Sequence, residues 1–355
     1  MKLTVFHSIS FLYNPLCLHG ESCLSEDLVT AKFPGTEAPA LLLLEVTPIW
    51  FSRPVFWGSP RENWEERQVK TAIVTDSNSG IFEEEGRQLG VFVLPMPVLI
   101  DSSVYFEGQN LSSAQFYQYL QEGRNITTSQ PSPGDLTALW EHVLELGYDE
   151  LVYIPMSSGL SNSCATAKML AEGYDGKVFV ADNHRISVTQ RYSVLDALAL
   201  AHAGCHGGEI CTELEQSGLD SIIYIGVETL EYLKRGGRVT PAAAAMGALM
   251  GIKPLLTIQG DKLDACAKVR GTANCKKRLV QYLEQAAEEY ARKGISFQAA
   301  AAGSFLTEAE AETWSNLCSD TFPGQTPHYD PLTCSIGSHV GPGAFGMAIA
   351  RRLIP

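Results

Sequence analysis

From Val69 onward, short apolar runs alternate with longer segments whose apolar positions recur every three to four residues. The short runs, bounded by polar or glycine-rich turns, predict strands near 71–75, 91–94, 151–154, 178–181, 222–227, 255–258, 297–301 and 332–336. The longer segments predict helices at 135–146, 161–171, 188–203, 241–250, 276–293 and 307–317. This alternation predicts an α/β fold with mainly parallel sheets flanked by helices. A second strand–helix series starts near residue 225, so two domains are expected, 69–225 and 226–355.

Residues 1–68 break the pattern. They show no sustained period, yet they carry isolated large apolar residues such as Trp50, Phe51, Phe56 and Trp57, unlike a solvated tail. Trp64-Glu65-Glu66 must be encoded TGG-GAR-GAR, which reads as a purine-rich ribosome-binding sequence a short spacer before Val69. A GTG valine codon can start translation, so the expectation is a start at Val69, with 1–68 a non-native or disordered extension. The apolar run 41–44 is cut off by Glu45 and falls far short of the ~20 residues that span a bilayer. No basic segment directly precedes it, so no secretory signal is expected either.

Composition narrows the setting. The chain carries a net charge of −14 with no basic block, which disfavours nucleic acid and anionic membrane surfaces as partners. Its nine cysteines are scattered, odd in number and lack any CxxC pair, which fits reduced thiols in the cytoplasm. Cys205-His206 and Cys211 lack an evident fourth ligand, so no metal site is expected. The first strand leads into Asp76-Ser77-Asn78-Ser79-Gly80, neither a dinucleotide fingerprint nor a phosphate-binding P-loop.

The candidate chemistry lies in two hydroxyl-rich turns, Thr128-Ser129-Gln130-Pro131-Ser132 and Ser157-Ser158-Gly159-Leu160-Ser161. Each sits between an extended segment and a helix, where unpaired backbone N–H groups and hydroxyls can cradle an anion; either turn taken alone also reads as an ordinary N-cap. Residues 230–239 read as a short helix ending at Gly236-Gly237, with Lys234, Arg235 and Arg238 as the concentrated positive spot. It is either a helix C-cap or an anion or partner contact. His339 precedes a Gly-Pro-Gly turn and is read at the carboxyl end of the 332–336 strand, with a helix to follow. A hydrolase with Ser157 or Ser158 as nucleophile and His339 as base is the enzymatic alternative, but no GxSxG elbow is present.

Taken in order, these segments resemble the DegV family. The resemblance rests on Thr75-Asp76-Ser77, both hydroxyl-rich turns, Tyr232-Leu233-Lys234-Arg235-Gly236-Gly237-Arg238, Ile252-Lys253-Pro254, Lys268-Val269-Arg270 and His339-Val340-Gly341-Pro342-Gly343. It implies a two-domain DegV-like fold that holds one long-chain fatty acid in a buried tunnel. It further implies a non-catalytic role as the binding subunit of a bacterial fatty-acid kinase. An ATP-dependent partner would convert the presented carboxylate to acyl-phosphate for phospholipid synthesis, and a lipid sensor without such a partner is the other non-enzymatic reading. The carboxylate would be held by Thr128, with Ser129 beside it, by Ser157 or Ser158, and by His339. Arg238 and Arg270 would flank the head-group opening or face the kinase. No catalytic residue, cofactor or metal is implied. Asn162-Ser163-Cys164 and Asp182-Asn183-His184 depart from the usual pattern close to the expected site. Burying ~15 methylenes at roughly 0.8 kcal/mol each would give about 12 kcal/mol before ordering costs, so the tail supplies affinity and the hydroxyls fix orientation.

Overall fold

The computed structural model describes residues 69–246 and 251–354. The expected extension at 1–68 and the end of the helix expected at 241–250 lie outside them.

The first half begins with β1 (Thr71–Asp76), α1 (Glu83–Leu89), β2 (Val91–Leu94), β3 (Pro97–Ile100) and β4 (Ser103–Phe106). It continues through α2 (Ser113–Gln121), β5 (Ile126–Thr128), α3 (Pro133–Glu145), β6 (Glu150–Ile154) and α4 (Ser163–Ala171). β7 (Val178–Val180), α5 (Val188–His202) and α6 (Gly207–Ser217) complete it. The second half opens with β8 (Ser221–Gly226), α7 (Glu231–Gly236), α8 (Pro241–Ala244), β9 (Ile252–Ile258) and β10 (Asp264–Arg270). It closes with α9 (Thr272–Arg292), β11 (Phe297–Gly303), α10 (Glu308–Thr321), β12 (His328–Pro331), α11 (Cys334–Val340) and β13 (Phe345–Arg351).

Strands β2-β1-β6-β7 form a wholly parallel sheet. Its central strands are buried nearly throughout, as a parallel sheet covered on both faces requires. Alternate side chains divide between the two faces. Ala72, Val74, Leu151 and Tyr153 meet Leu136, Trp140 and Ala167 of α3 and α4. Ile73, Val152 and Ile154 meet Val194, Ala197, Ile210 and Leu214 of α5 and α6. A small antiparallel sheet, β4-β3-β5, ends at Thr128.

The six-stranded sheet runs β10-β9-β8-β13-β11-β12. The α/β class and the parallel first sheet agree with the sequence reading. In this second sheet, however, β11–β12 alone is parallel and the other four pairings are antiparallel. Apolar runs report a buried strand without reporting its direction, and hairpins such as β9–β10 escape a pattern tuned to strand–helix alternation. Residue 225, the expected domain boundary, lies inside β8, while the last strand of the parallel sheet ends at Val180.

Two further corrections concern the C-terminus. Residues 332–336 are not a strand: β12 ends at Pro331, and Thr333 caps α11 by accepting a bond from the N–H of Ile336 at 3.4 Å. The Gly341-Pro342-Gly343 turn then leads into strand β13, not a helix.

One face of the six-stranded sheet is covered by α9 and α10, with Leu279, Leu283 and Trp314 against Ala299, Ala301 and Ile349. The other face turns toward Met156, Leu160, Ile186 and Val188. Its side chains change size across the strands. One cross-strand row reads Leu256, Ile225, Gly346, Ala302, and the next reads Ile258, Ile223, Ala348, Ala300. Large residues on β9 and β8 give way to small ones on β13 and β11, and space opens above them.

Candidate functional site

That space is a cavity whose unfilled volume, open solvent at its mouth included, is about 900 Å³. Its inner wall is mostly apolar, including Met96, Met156, Ile225, Ile258, Leu332 and Ala348. Polar side chains gather at one end, where Thr128, Ser129, Gln130, Ser161, Arg238 and His339 contribute to the lining.

Three elements converge there. β5 ends at Thr128, whose Oγ1 is hydrogen-bonded to Nε2 of His339 at 2.9 Å. His339 sits in the last turn of α11. Burial, together with the nearby Arg238 and Arg235 guanidiniums, pushes its pKa down to about 4. The ring is therefore neutral at pH 7, with one nitrogen to donate and one to accept. Arg238 follows the left-handed Gly237 that ends α7; its Nε donates to the Leu160 carbonyl at 3.2 Å, and Nη1 donates to the Gly236 carbonyl. The Arg238 guanidinium is thereby fastened to the second hydroxyl-rich turn.

A separate surface depression lies outside this group. Thr128, Arg238 and His339 line both it and the cavity, and Tyr232 and Arg235 line the depression alone. The three shared residues form a thin partition between an apolar interior and a basic exterior.

Not every expected residue reaches the site. Ser157 is fully buried and absent from the cavity wall: its Oγ donates to the Gly260 carbonyl and accepts from the Gly159 N–H at 3.1 Å, while its N–H donates to the Arg185 carbonyl at 2.8 Å. Ser158 is exposed, with its N–H on Asp182 at 3.3 Å, and it too is missing from the wall. The serine of this turn that lines the cavity is Ser161, two residues before α4 begins. Ser129 lines the mouth, although its hydroxyl donates to the Gln130 carbonyl at 2.9 Å. Arg270 is exposed at the end of β10 and forms no part of the wall. The turn's hydroxyls were visible in the sequence, but which one faces inward depends on the β9–β10 hairpin docking against it. Gly159 marks that docking, since a Cβ there would stand 2.7 Å from the Asp261 Cα.

With His339 on Thr128 and Ser157 on Gly260, the Ser–His pair that the hydrolase reading needs is not made. Asp76 plays a structural part beneath the cavity. Burial raises its pKa to about 6, and its carboxylate accepts from the Met156 N–H at 2.8 Å, the Asn78 N–H at 2.9 Å and Gln190 at 3.3 Å. Among the described residues no cluster of three or more His, Cys, Asp or Glu side chains is arranged to hold a metal.

An apolar cavity on an α/β scaffold, with hydroxyl, imidazole and guanidinium groups in its lining, is a site whose chemistry suits an amphipathic ligand. Residues 70–352 match the model of the family described as uncharacterised protein, DegV family. The chain belongs to the DegV family. A DegV domain-containing protein of Deinococcus radiodurans is 31% identical over 282 residues, 79% of this chain and 98% of that protein. The solved structure described as fatty acid binding of a DegV family protein from Thermus thermophilus superposes with a TM-score of 0.70 at 29% identity, covering 80% of this chain and 100% of that one. DegV of Bacillus subtilis, described as a fatty acid binding protein, superposes with a TM-score of 0.69 at 28% identity, covering 80% of this chain and 99% of that one.

Proposed function

We propose that this chain binds one long-chain fatty acid, with the acyl tail in a tunnel formed by the cavity and the carboxylate at Thr128, Ser161 and His339. Ser161 takes the place first expected of Ser157 or Ser158, whose groups are engaged elsewhere or point outward. Arg238, tied to the Leu160 and Gly236 carbonyls, stands beside the carboxylate without forming an ion pair with it. The observation that carries this reading is the partition: the same Thr128, Arg238 and His339 line the apolar interior and the basic depression outside. A carboxylate at that wall keeps its tail buried while its oxygens face a second protein.

The second protein is an ATP-dependent kinase that forms acyl-phosphate, and this chain supplies no catalytic group of its own. A neutral imidazole and hydroxyls suit that role. They orient a carboxylate by hydrogen bonds worth about 1 kcal/mol each, somewhat more to a charged group, without an ion pair that phosphorylation would have to break. Among the described residues no helix is long and apolar enough to cross a membrane.

Mass spectrometry of the denatured protein should release a long-chain fatty acid, and lipid-stripped protein should rebind hexadecanoic acid. Thr128→Val should weaken that binding about tenfold and abolish phosphorylation by a partner kinase, in line with about 1.4 kcal/mol lost at a charged hydrogen bond. Absence of both co-purified and added fatty acid would remove the proposal; an unchanged Thr128→Val protein would remove that residue from the site.

A further inference from the structure

The cavity holds a second polar group that the head-group site does not use. Ser187 lines the wall and is 94% buried, with a relative exposure of 6%, yet its Oγ has no hydrogen-bond partner. It occupies the N-cap position of the fifteen-residue helix α5, and no side chain caps that end. Its backbone is held at φ 55, a conformation that a serine seldom adopts. Asn78 and Ser335 line the same wall. The three are tied together: the Ser187 N–H donates to the Asn78 carbonyl at 3.0 Å, and Thr333, two residues before Ser335, donates its hydroxyl to the Asn78 side-chain oxygen at 3.3 Å. The Asn78 amide nitrogen has only the Met156 sulfur, at 3.0 Å, as acceptor, and a thioether is a weak one.

A purely hydrocarbon tail would leave the Ser187 hydroxyl unpaired in an apolar surround, the arrangement that buried polar groups avoid. We propose that this group receives an oxygen carried on the acyl chain, so that the ligand is a hydroxy- or oxo-substituted fatty acid. The inference rests on the fatty-acid reading of the cavity. Its position along the chain follows from α11. Ser335 precedes His339 by four residues on one helix face, which sets the two about 6 Å apart along the axis. Ser335, which lines the wall with Ser187, thereby puts the polar part of the wall nearer the carboxyl end than the far end of the tail, and a 3-hydroxy acid is the proximal probe. A site that pairs with a ligand hydroxyl discriminates against the analogue lacking it, because its own polar groups are then stranded.

The test compares hexadecanoic, 3-hydroxyhexadecanoic and 12-hydroxyoctadecanoic acids by calorimetry on the lipid-stripped full chain, alongside Ser187→Ala and Ser335→Ala. The 3-hydroxy acid should bind about tenfold more tightly than hexadecanoic acid. Each variant should weaken it about tenfold and leave hexadecanoic acid within twofold of its original affinity. Two variants are used so that a folding defect in one does not decide the matter. A native protein that binds the 3-hydroxy acid no more tightly than its parent overturns the inference. Equal losses for both acids in the variants overturn it as well, since a resident water or a structural role would give that result. A 12-hydroxy acid that matches the 3-hydroxy acid in every protein overturns the proximal placement. If no acid binds at all, the fatty-acid reading falls and takes this inference with it, whereas tight hexadecanoic acid binding without discrimination sinks the inference alone.

Discussion

Ser157 and Ser161 occupy one five-residue turn, yet they do opposite work. The Ser157 hydroxyl satisfies the Gly260 carbonyl of the β9–β10 hairpin, and Ser161 faces the cavity. Ser157→Ala should therefore cost about 1–3 kcal/mol of stability through the stranded carbonyl, read as a lower thermal midpoint, while fatty-acid affinity holds. Ser161→Ala should lower affinity as well as the midpoint, since its Oγ also accepts the Ser163 N–H at 3.2 Å; affinity lost in Ser157→Ala and kept in Ser161→Ala would return the carboxylate to Ser157. His339 supplies a pH prediction at the same scale. Its folded pKa, about 4, lies below the unfolded value of 6.5, so the unfolded chain binds more protons between those limits. Stability must then rise with pH through that window and fall on acidification, by on the order of 3 kcal/mol when fully expressed. Chemical denaturation from pH 4 to 7 should show a native-minus-His339→Gln stability difference that grows as the pH rises through that window. Asp76 and Asp330, with pKa values raised by burial to about 6 and about 7, push in the opposite direction, and the difference between the two proteins isolates the histidine.

The elements differ in how plainly the sequence announces them. Long amphipathic segments such as α9, and apolar runs such as β1 and β6, carry a period that no tertiary contact needs to supply. Short elements lack that redundancy. The stretch 332–336 alternates apolar and polar residues as a strand does, but Thr333 caps it as a helix, and Glu107, from a segment more than two hundred residues away, accepts the Cys334 N–H. Strands β11 and β13 are legible as strands, although their alanines say nothing of purpose until the sheet is assembled. Ala302 and Ala348 then stand on the cavity side and Ala299 and Ala301 on the helix side. Ala348→Leu should fold normally, since the added side chain enters open space. It should weaken hexadecanoic acid binding at least tenfold in titration calorimetry; unchanged affinity would mean that the acyl chain runs elsewhere.

At the scale of the whole molecule, loops at the carboxyl end of the parallel sheet and one face of the mostly antiparallel sheet border one cavity, and α11 adds the histidine that meets Thr128 from 211 residues away. The partition formed by Thr128, Arg238 and His339 draws on three elements that lie far apart in sequence. No local pattern contains it.

The sequence by itself determined the α/β class, most of the long helices and buried strands, and the family. Those properties reside in periodicity and in short motifs that each read locally. It also exposed the right turns, because hydroxyls beside helix starts are chemically conspicuous. Only the tertiary structure decided which hydroxyls face the cavity, that Arg270 stands apart from it, and that Ser187 is left unpaired inside it. The reason is physical: a side chain's partners are set by what packs against it, and the Thr128–His339 and Ser157–Gly260 pairs each join residues more than a hundred positions apart.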